Sequence, residues 1–133
     1  MFWDDDVKPL AEIECQDLLA SVNVGRLSLT IGALPVIMPV TYWYFGANVI
    51  LNMRDGPARR AAIEHVVGFE IDATNLEHVL WTVLIIGRAV EIIDPAERTE
   101  LQNLGFAAPV GTTKPQYLKV GTDIVTGYRT GPE

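Results

Sequence analysis

Cysteine is nearly absent from this chain: Cys15 stands alone among 133 residues. That excludes an intramolecular disulfide and any multi-cysteine metal site. A lone cysteine in a helical stretch reads as a small buried apolar residue. Histidine is almost as scarce, and His65 and His78 accompany no serine or cysteine in a nucleophile signature. With Glu77 they make no metal-ligand spacing, so no metal is expected. The sequence also lacks a nucleophile elbow, an HExxH, a P-loop and a GxGxxG, which leaves hydrolytic chemistry without support. Long apolar runs are missing too. The longest, Val79 to Gly87, is interrupted by Trp81-Thr82 and falls far short of the roughly 20 residues a membrane span needs. Met1 to Asp6 is acidic where a secretory signal would be basic and then apolar, so a cytoplasmic, membrane-free protein is expected. Positive charge is the last scarcity: ten Lys and Arg face 17 Asp and Glu, for a net charge of −7 and a pI near 4.7. Nucleic acid is therefore not an expected partner, and any phosphate bound should be small and held locally.

What is present is the composition of an ordinary compact domain, 49% hydrophobic and 20% charged, and its length suits one domain spanning 1–133 with an acidic extension over 1–8. A first helix is expected from about Pro9 to Val22, with Pro9 in its first turn and Glu12 and Glu14 near the positive end of its dipole. The stretch Val24 to Met53 then reads as three antiparallel strands. Leu27, Leu29 and Ile31 alternate with Arg26, Ser28 and Thr30; Gly32-Ala33 reverses the chain; Leu34 to Tyr44 runs back; Val49 to Met53 returns after Phe45-Gly46-Ala47-Asn48. Asp55-Gly56-Pro57 opens a short helix to about His65, Val66 to Asp72 is a fourth strand, and Val79 to Ile93 a fifth with a bulge or bend at Gly87. Asp94-Pro95 caps a helix to about Leu104, with Glu97 completing the capping pattern. Gly105 to Pro115 reads as a loop of small residues, and Gln116 to Thr130 as a last strand bent at Gly121. The fold class predicted is mainly β: a six-stranded antiparallel split β-barrel with two or three short helices. The short turns at Gly32 and Gly46 forbid the crossovers of a doubly wound sheet.

Two features could carry chemistry. Arg54, Arg59 and Arg60 cluster around one Gly-Pro helix start, and guanidinium groups beside free helix N–H groups suit phosphate oxygens. The same arginines would equally serve as a solvated face paired with Glu64 or Asp55. The second feature is Pro39-Val40-Thr41-Tyr42. Proline cannot donate to a ladder, so backbone groups there would be left to meet a flat polar ring. Trp43, Trp81 and Phe106 would supply stacking surface or, more simply, core packing. With no side-chain nucleophile in view, an enzyme of this sequence would need a cofactor to carry its reaction.

The succession Glu14-Cys15-x-x-Leu18-Leu19, Val24-Gly25-Arg26-Leu27, Pro35-Val36-x-x-Pro39-Val40-Thr41-Tyr42, Gly68-Phe69-Glu70-Ile71-Asp72, Trp81-Thr82-Val83-Leu84-x-x-Gly87-Arg88-Ala89 and Thr126-Gly127-Tyr128-Arg129 resembles the flavin-binding split-barrel proteins. It is closest to the pyridoxamine phosphate oxidase-like branch that includes nitroimidazole-resistance proteins. The resemblance implies a homodimer with two flavin sites at its interface. FMN phosphate would be held by Arg54, Arg59 and Arg60, and the ring would be met by Pro39, Val40, Thr41 and Tyr42. Trp81 and Arg129 would close the pocket from the partner subunit. Where such relatives carry Gly-x-Lys after the third strand, this chain reads Gly56-Pro57-Ala58-Arg59-Arg60. The arginine and histidine pattern with which true pyridoxamine phosphate oxidases contact substrate is missing from the C-terminus.

The function expected is that of an FMN-dependent oxidoreductase moving hydride or electrons to or from a small organic molecule, with the chemistry assigned to the cofactor and no catalytic side chain. A deazaflavin coenzyme is the alternative within this class. Outside it stands a split-barrel protein that binds flavin or another cofactor without catalysis, or binds none.

Overall fold

The computed structural model describes residues 7–106 and 116–130. The expected loop from Gly105 to Pro115 and the acidic Met1 to Asp6 lie almost wholly outside them. Eight strands and three helices alternate along the chain: β1 (Val7–Pro9), α1 (Glu12–Ser21), β2 (Val24–Ile31), β3 (Leu34–Phe45), β4 (Asn48–Asn52), α2 (Pro57–Ala62), β5 (Val66–Thr74), β6 (Val79–Glu91), α3 (Pro95–Asn103), β7 (Tyr117–Val120) and β8 (Ile124–Thr130). The strand order β1-β8-β6-β5-β2-β3-β4-β7 is closed by a further β6–β7 pairing, and every strand pairing is antiparallel. Six strands, β2 to β7, thus form a closed barrel, while β8 and β1 extend the sheet beyond β6.

Two strands more than expected come from two local causes. Val7–Pro9 pairs with the edge of β8, from Thr130 to Tyr128, instead of starting a helix. Proline is tolerated on that edge, and α1 begins three residues later with Ala11 as its N-cap. The expected bend at Gly121 is a full break that sends Tyr117–Val120 and Ile124–Thr130 to different stretches of β6. β6 pairs with β8 as far as Ile86 and with β7 from Ala89 onward. Gly87 sits at this exchange of partners. A Cβ built there would lie 1.8 Å from the Gly121 carbonyl oxygen, so glycine is required for close backbone approach. The expected bulge at Gly87 is not found: its pairing with Val67 is regular, and the register shift of β5–β6 falls at Ala73/Thr74.

Inward-facing residues of the barrel strands, among them Leu27, Leu51, Phe69, Val83, Ile85 and Leu118, are fully buried. Each such side chain contributes ~1.5–3 kcal/mol of hydrophobic stabilisation. α1 lays Cys15 and Leu19 onto this core, and burial pushes the Cys15 thiol pKa up. α3 is capped as its sequence predicts, the Asp94 carboxylate accepting from the Glu97 N–H at 3.2 Å. It covers a second, smaller cluster of Ile50, Ile92, Leu101 and Tyr117, against which Trp43 and Phe106 pack. No helix among the described residues is long and apolar enough to cross a membrane.

Candidate functional site

β3 is built differently at its two ends, and the difference creates a site. Its register with β2 is unbroken from Leu34–Ile31 to Thr41–Val24, whereas its pairing with β4 covers only Tyr42 to Phe45. The Tyr42 N–H donates to the Asn23 carbonyl at 3.0 Å. Main-chain groups alternate sides along an antiparallel strand, so even-numbered residues of β3 face β2 and odd-numbered ones face β4. Pro35 and Pro39 therefore direct their missing donors away from β2, and the ladder runs past both without interruption. Beyond the last β4 pairing, the carbonyl of Pro39 lies on an edge with no strand beside it among the described residues.

Beside this edge is a cavity of about 470 Å³ lined by Met38, Pro39, Val40, Thr41, Leu51, Asn52, Met53, Arg54, Asp55, Gly56, Pro57, Ala58 and Arg59. Its size is that of a small-molecule or cofactor pocket. Apolar β3 and β4 residues form one wall, and the β4–α2 connection forms the other. Gln116 fixes the corner between them: its N–H donates to Asn52 Oδ1 at 2.9 Å and its carbonyl accepts from the Met53 N–H at 3.2 Å.

The three expected arginines have different fates. Arg54 lines the cavity, exposed and with no ion pair among the described residues. Arg59 also lines it but is only 8% exposed. Its Nη2 donates to Glu91 Oε2 at 2.6 Å across from the end of β6, and its Nε–H is buried without a partner. A buried orphan donor costs ~1–3 kcal/mol, so this N–H is a place where an anion would be welcome. Arg60 stands outside the wall and pairs loosely with Asp55, at 3.4 Å in solvent. α2 is only six residues long, shorter than the helix expected to His65.

Of the expected ring-binding residues, Pro39, Val40 and Thr41 lie on the cavity wall. The structure does not bring Tyr42 there. Its ring is buried edge-on against Phe69, its hydroxyl donates to the Leu19 carbonyl at 2.6 Å, and burial pushes its pKa up to about 12. Val40 also turns its main-chain groups toward β2, leaving the ring site a narrower main-chain contribution than four consecutive residues. Trp81, on β6 opposite Ala73 and Arg129, is not part of the wall within this chain. Arg129 bonds Glu14 Oε2 at 3.3 Å. Trp43 and Phe106 spend their faces on each other, stacked at 4.6 Å.

Sequence reasoning missed two ionic clusters, one at the cavity and one outside it. Glu91, which holds Arg59, is separated from it by 32 positions, and no local pattern announces the pair. On the outer face of β2 and β5, Arg26 Nη1 donates to Glu70 at 2.8 Å and to Asp72 at 2.5 Å. Burial, then hydrogen bonding with Asp72, raises the Glu70 pKa. Alternation on β2 and β5 placed these three residues on one face and was the available signal.

The family model for pyridoxamine 5′-phosphate oxidase matches residues 11–127. The chain belongs to the pyridoxamine 5′-phosphate oxidase family. An uncharacterised protein of Mycobacterium tuberculosis is 30% identical over 131 residues, covering 93% of this chain and 86% of its own. An FAD-binding protein from Mycobacterium smegmatis superposes with a TM-score of 0.73 at 27% identity, over 94% of this chain and 99% of that one. An FAD-binding protein from Mesorhizobium loti gives 0.74 at 19% identity, again over 94% and 99%.

Proposed function

We propose that this protein binds a phosphate-bearing flavin in the β3–α2 cavity and acts as a flavin-dependent oxidoreductase on a small organic molecule. The observation that carries this reading is the pairing of an open main-chain edge with a cationic end in one cavity. At one side are the Pro39 carbonyl and the apolar surface of Met38 and Val40; at the other are the guanidinium of Arg54, without an ion pair among the described residues, and the orphan Nε–H of Arg59. A ring that is apolar on its faces and polar on its rim, carrying an acidic tail, meets both needs. Arg54 and Arg59 would hold the tail, and Pro39 to Thr41 would position the ring. A bound flavin supplies the hydride and electron transfer; the protein binds it, orients it and screens it from water.

FMN is the cofactor implied by the sequence resemblance. FAD is the second reading, favoured by the FAD-binding relative from Mycobacterium smegmatis. Both share the ring and the first phosphate, so one experiment tests the common claim. The purified protein should show flavin absorbance, or acquire it with quenched flavin fluorescence when FMN or FAD is added. Absence of binding by either refutes the reading.

A homodimer is part of the proposal. The outer face of the β2, β3, β5, β6 and β8 sheet exposes Val24, Ile37, Val66, Leu80 and Ile124, large apolar side chains that a second copy would bury. Trp81 and Arg129 alternate onto the opposite, α1-side face of β6 and β8, so their assignment to the partner's pocket rests on the sequence resemblance and not on this surface. Light scattering that returned a 14.7 kDa monomer at micromolar concentration would remove the shared site.

A further inference from the structure

We propose that Met38 and Met53 form a sulfoxidation site that gates loading of the cavity: hydroperoxide oxidises their thioethers in the cofactor-free protein, and the sulfoxides then disfavour a ring there. The gating rests on the flavin reading above; the modification site does not.

Sulfur is scarce in this chain, with one cysteine and three methionines. Cys15 is 2% exposed, and burial pushes its thiol pKa up, so it presents little thiolate to an oxidant. Met1 lies outside the described residues. Met38 lies on β3 and Met53 just beyond β4, yet both line the cavity of about 470 Å³. Met38 is half-buried and Met53 is 8% exposed, and both also pack within the barrel core cluster. Their side chains therefore stand between the apolar interior and an opening that a molecule as small as hydrogen peroxide can enter. Val40 and Leu51 supply apolar wall at the same place without this chemistry. Methionine is the apolar residue that mild oxidation makes polar and that a reductase makes apolar again.

In the oxidation the thioether sulfur attacks one oxygen of the peroxide. An S–O bond forms and the O–O bond breaks; the sulfur gives up two electrons, and the second oxygen leaves as water with both protons. A sulfoxide oxygen turned into the core would lose its hydration, so it favours the orientation toward the cavity. There it stays hydrated until a ring covers it and strips that water away. Loading is opposed by that cost, and, by the same contact, a ring already bound shields the thioethers.

The test treats the protein with hydrogen peroxide in the presence and absence of saturating FMN. Mass spectrometry with fragmentation locates the added oxygen, separating Met38 from Met53 within the tryptic peptide Leu27 to Arg54. Met38, the more exposed, should oxidise first, and FMN should slow both sites about fivefold or more. The treated protein, with an unchanged circular dichroism spectrum, should bind FMN about tenfold more weakly by fluorescence quenching. Methionine sulfoxide reductases with dithiothreitol should restore the affinity. The double variant Met38→Leu, Met53→Leu, volume-conserving at both positions, is compared with its own untreated sample and should lose nothing. A loss in the double variant places the damage elsewhere and refutes the gate. Oxidation of both methionines that leaves FMN affinity within about twofold also refutes it while flavin binding stands, as does oxidation at equal rates with and without FMN. If the untreated protein binds no FMN, the flavin reading and the gate fall together. The modification site is then judged alone: oxidation of Met38 within about tenfold of the rate for free methionine supports it, and a rate about a hundredfold slower removes it.

Discussion

The two ends of β3 are made of similar residues and do opposite things. From Tyr42 to Phe45 the strand is paired with β4, and Tyr42 also donates its N–H to the Asn23 carbonyl and is sealed into the core with its hydroxyl bonded to Leu19. From Leu34 to Thr41 it is paired only with β2, and the stretch Met38 to Thr41 walls a cavity. Both ends carry apolar and aromatic or β-branched side chains, so composition does not separate them. What separates them is how far β4 extends: it stops at Asn52, and the chain turns away at Met53 toward α2. An open edge in this barrel is made by ending a neighbour early.

If that contrast is right, damage on the closed side should cost folding and damage on the open side should cost ligand. The largest effect is expected at the exchange of partners within β6. Gly87→Ala drives a Cβ into the Gly121 backbone, where no flexible side chain can give way, and should lower unfolding free energy by about 3 kcal/mol or more. Urea denaturation reads this, and a loss below about 1 kcal/mol would mean that the two backbones are not held together as described.

Next comes Tyr42. Tyr42→Phe strands the buried Leu19 carbonyl and should cost about 1–2 kcal/mol at neutral pH. The same residue gives an alkaline signature. Its hydroxyl keeps its proton to about pH 12 in the folded state, against 10.0 for an ordinary tyrosine. The folded protein then binds more protons than the unfolded one between these values, so this contribution is whole below pH 10 and declines as pH rises toward 12. Tyr42→Phe should lack that part of the decline, worth about 3 kcal/mol at most; identical alkaline limbs in the two proteins would deny the burial of the hydroxyl.

On the open side, Arg54→Ala should leave stability within about 0.5 kcal/mol, as expected of an exposed side chain without an ion pair among the described residues. FMN binding should nonetheless weaken about tenfold, through loss of a charge-assisted contact. Destabilisation without an effect on FMN would invert the contrast. The smallest effect is expected at the β3–β4 hairpin, where Ala47 holds φ +60° next to Gly46 at the same angle. Ala47→Gly relieves that strain and should be neutral or stabilising by up to about 1 kcal/mol. Because the turn sets the register of the closed end, a marked loss in thermal midpoint would show that Ala47 contributes contacts of its own.

Much of the barrel was legible because period-2 alternation and turn residues are local. Leu27, Leu29 and Ile31 announced β2, Gly32-Ala33 and Gly46-Ala47 announced the hairpins, and Asp94-Pro95 with Glu97 announced α3. Position along the chain also flagged Arg54, Arg59 and the Pro39 stretch together, and the fold brings them to one cavity. The errors lie where distant segments decide. Pro9 has the look of a helix opener, and only the presence of β8 makes it the end of a strand. Tyr42 continues the alternation of β3, and only the length of β4 and the arrival of α1 bury its ring and hydroxyl. Prolines at 35 and 39 were read as breaks in a ladder; which way their nitrogens point depends on hairpin register, and here they point outward. The Arg59–Glu91 pair has no local signature at all.

The break at Gly121 also has a consequence for how the chain is made. β7, the strand that closes the barrel by pairing with both β4 and β6, is drawn from the last part of the sequence, and β8 follows it at once. During synthesis β4 and the far end of β6 therefore leave the ribosome long before their common partner does. Two unsatisfied strand edges, one of them the long apolar β6, must wait in company with whatever else is nearby. Non-local pairing of this kind is slow to form, so a nascent chain stalled before Tyr117 is the species most exposed to aggregation and to chaperone capture.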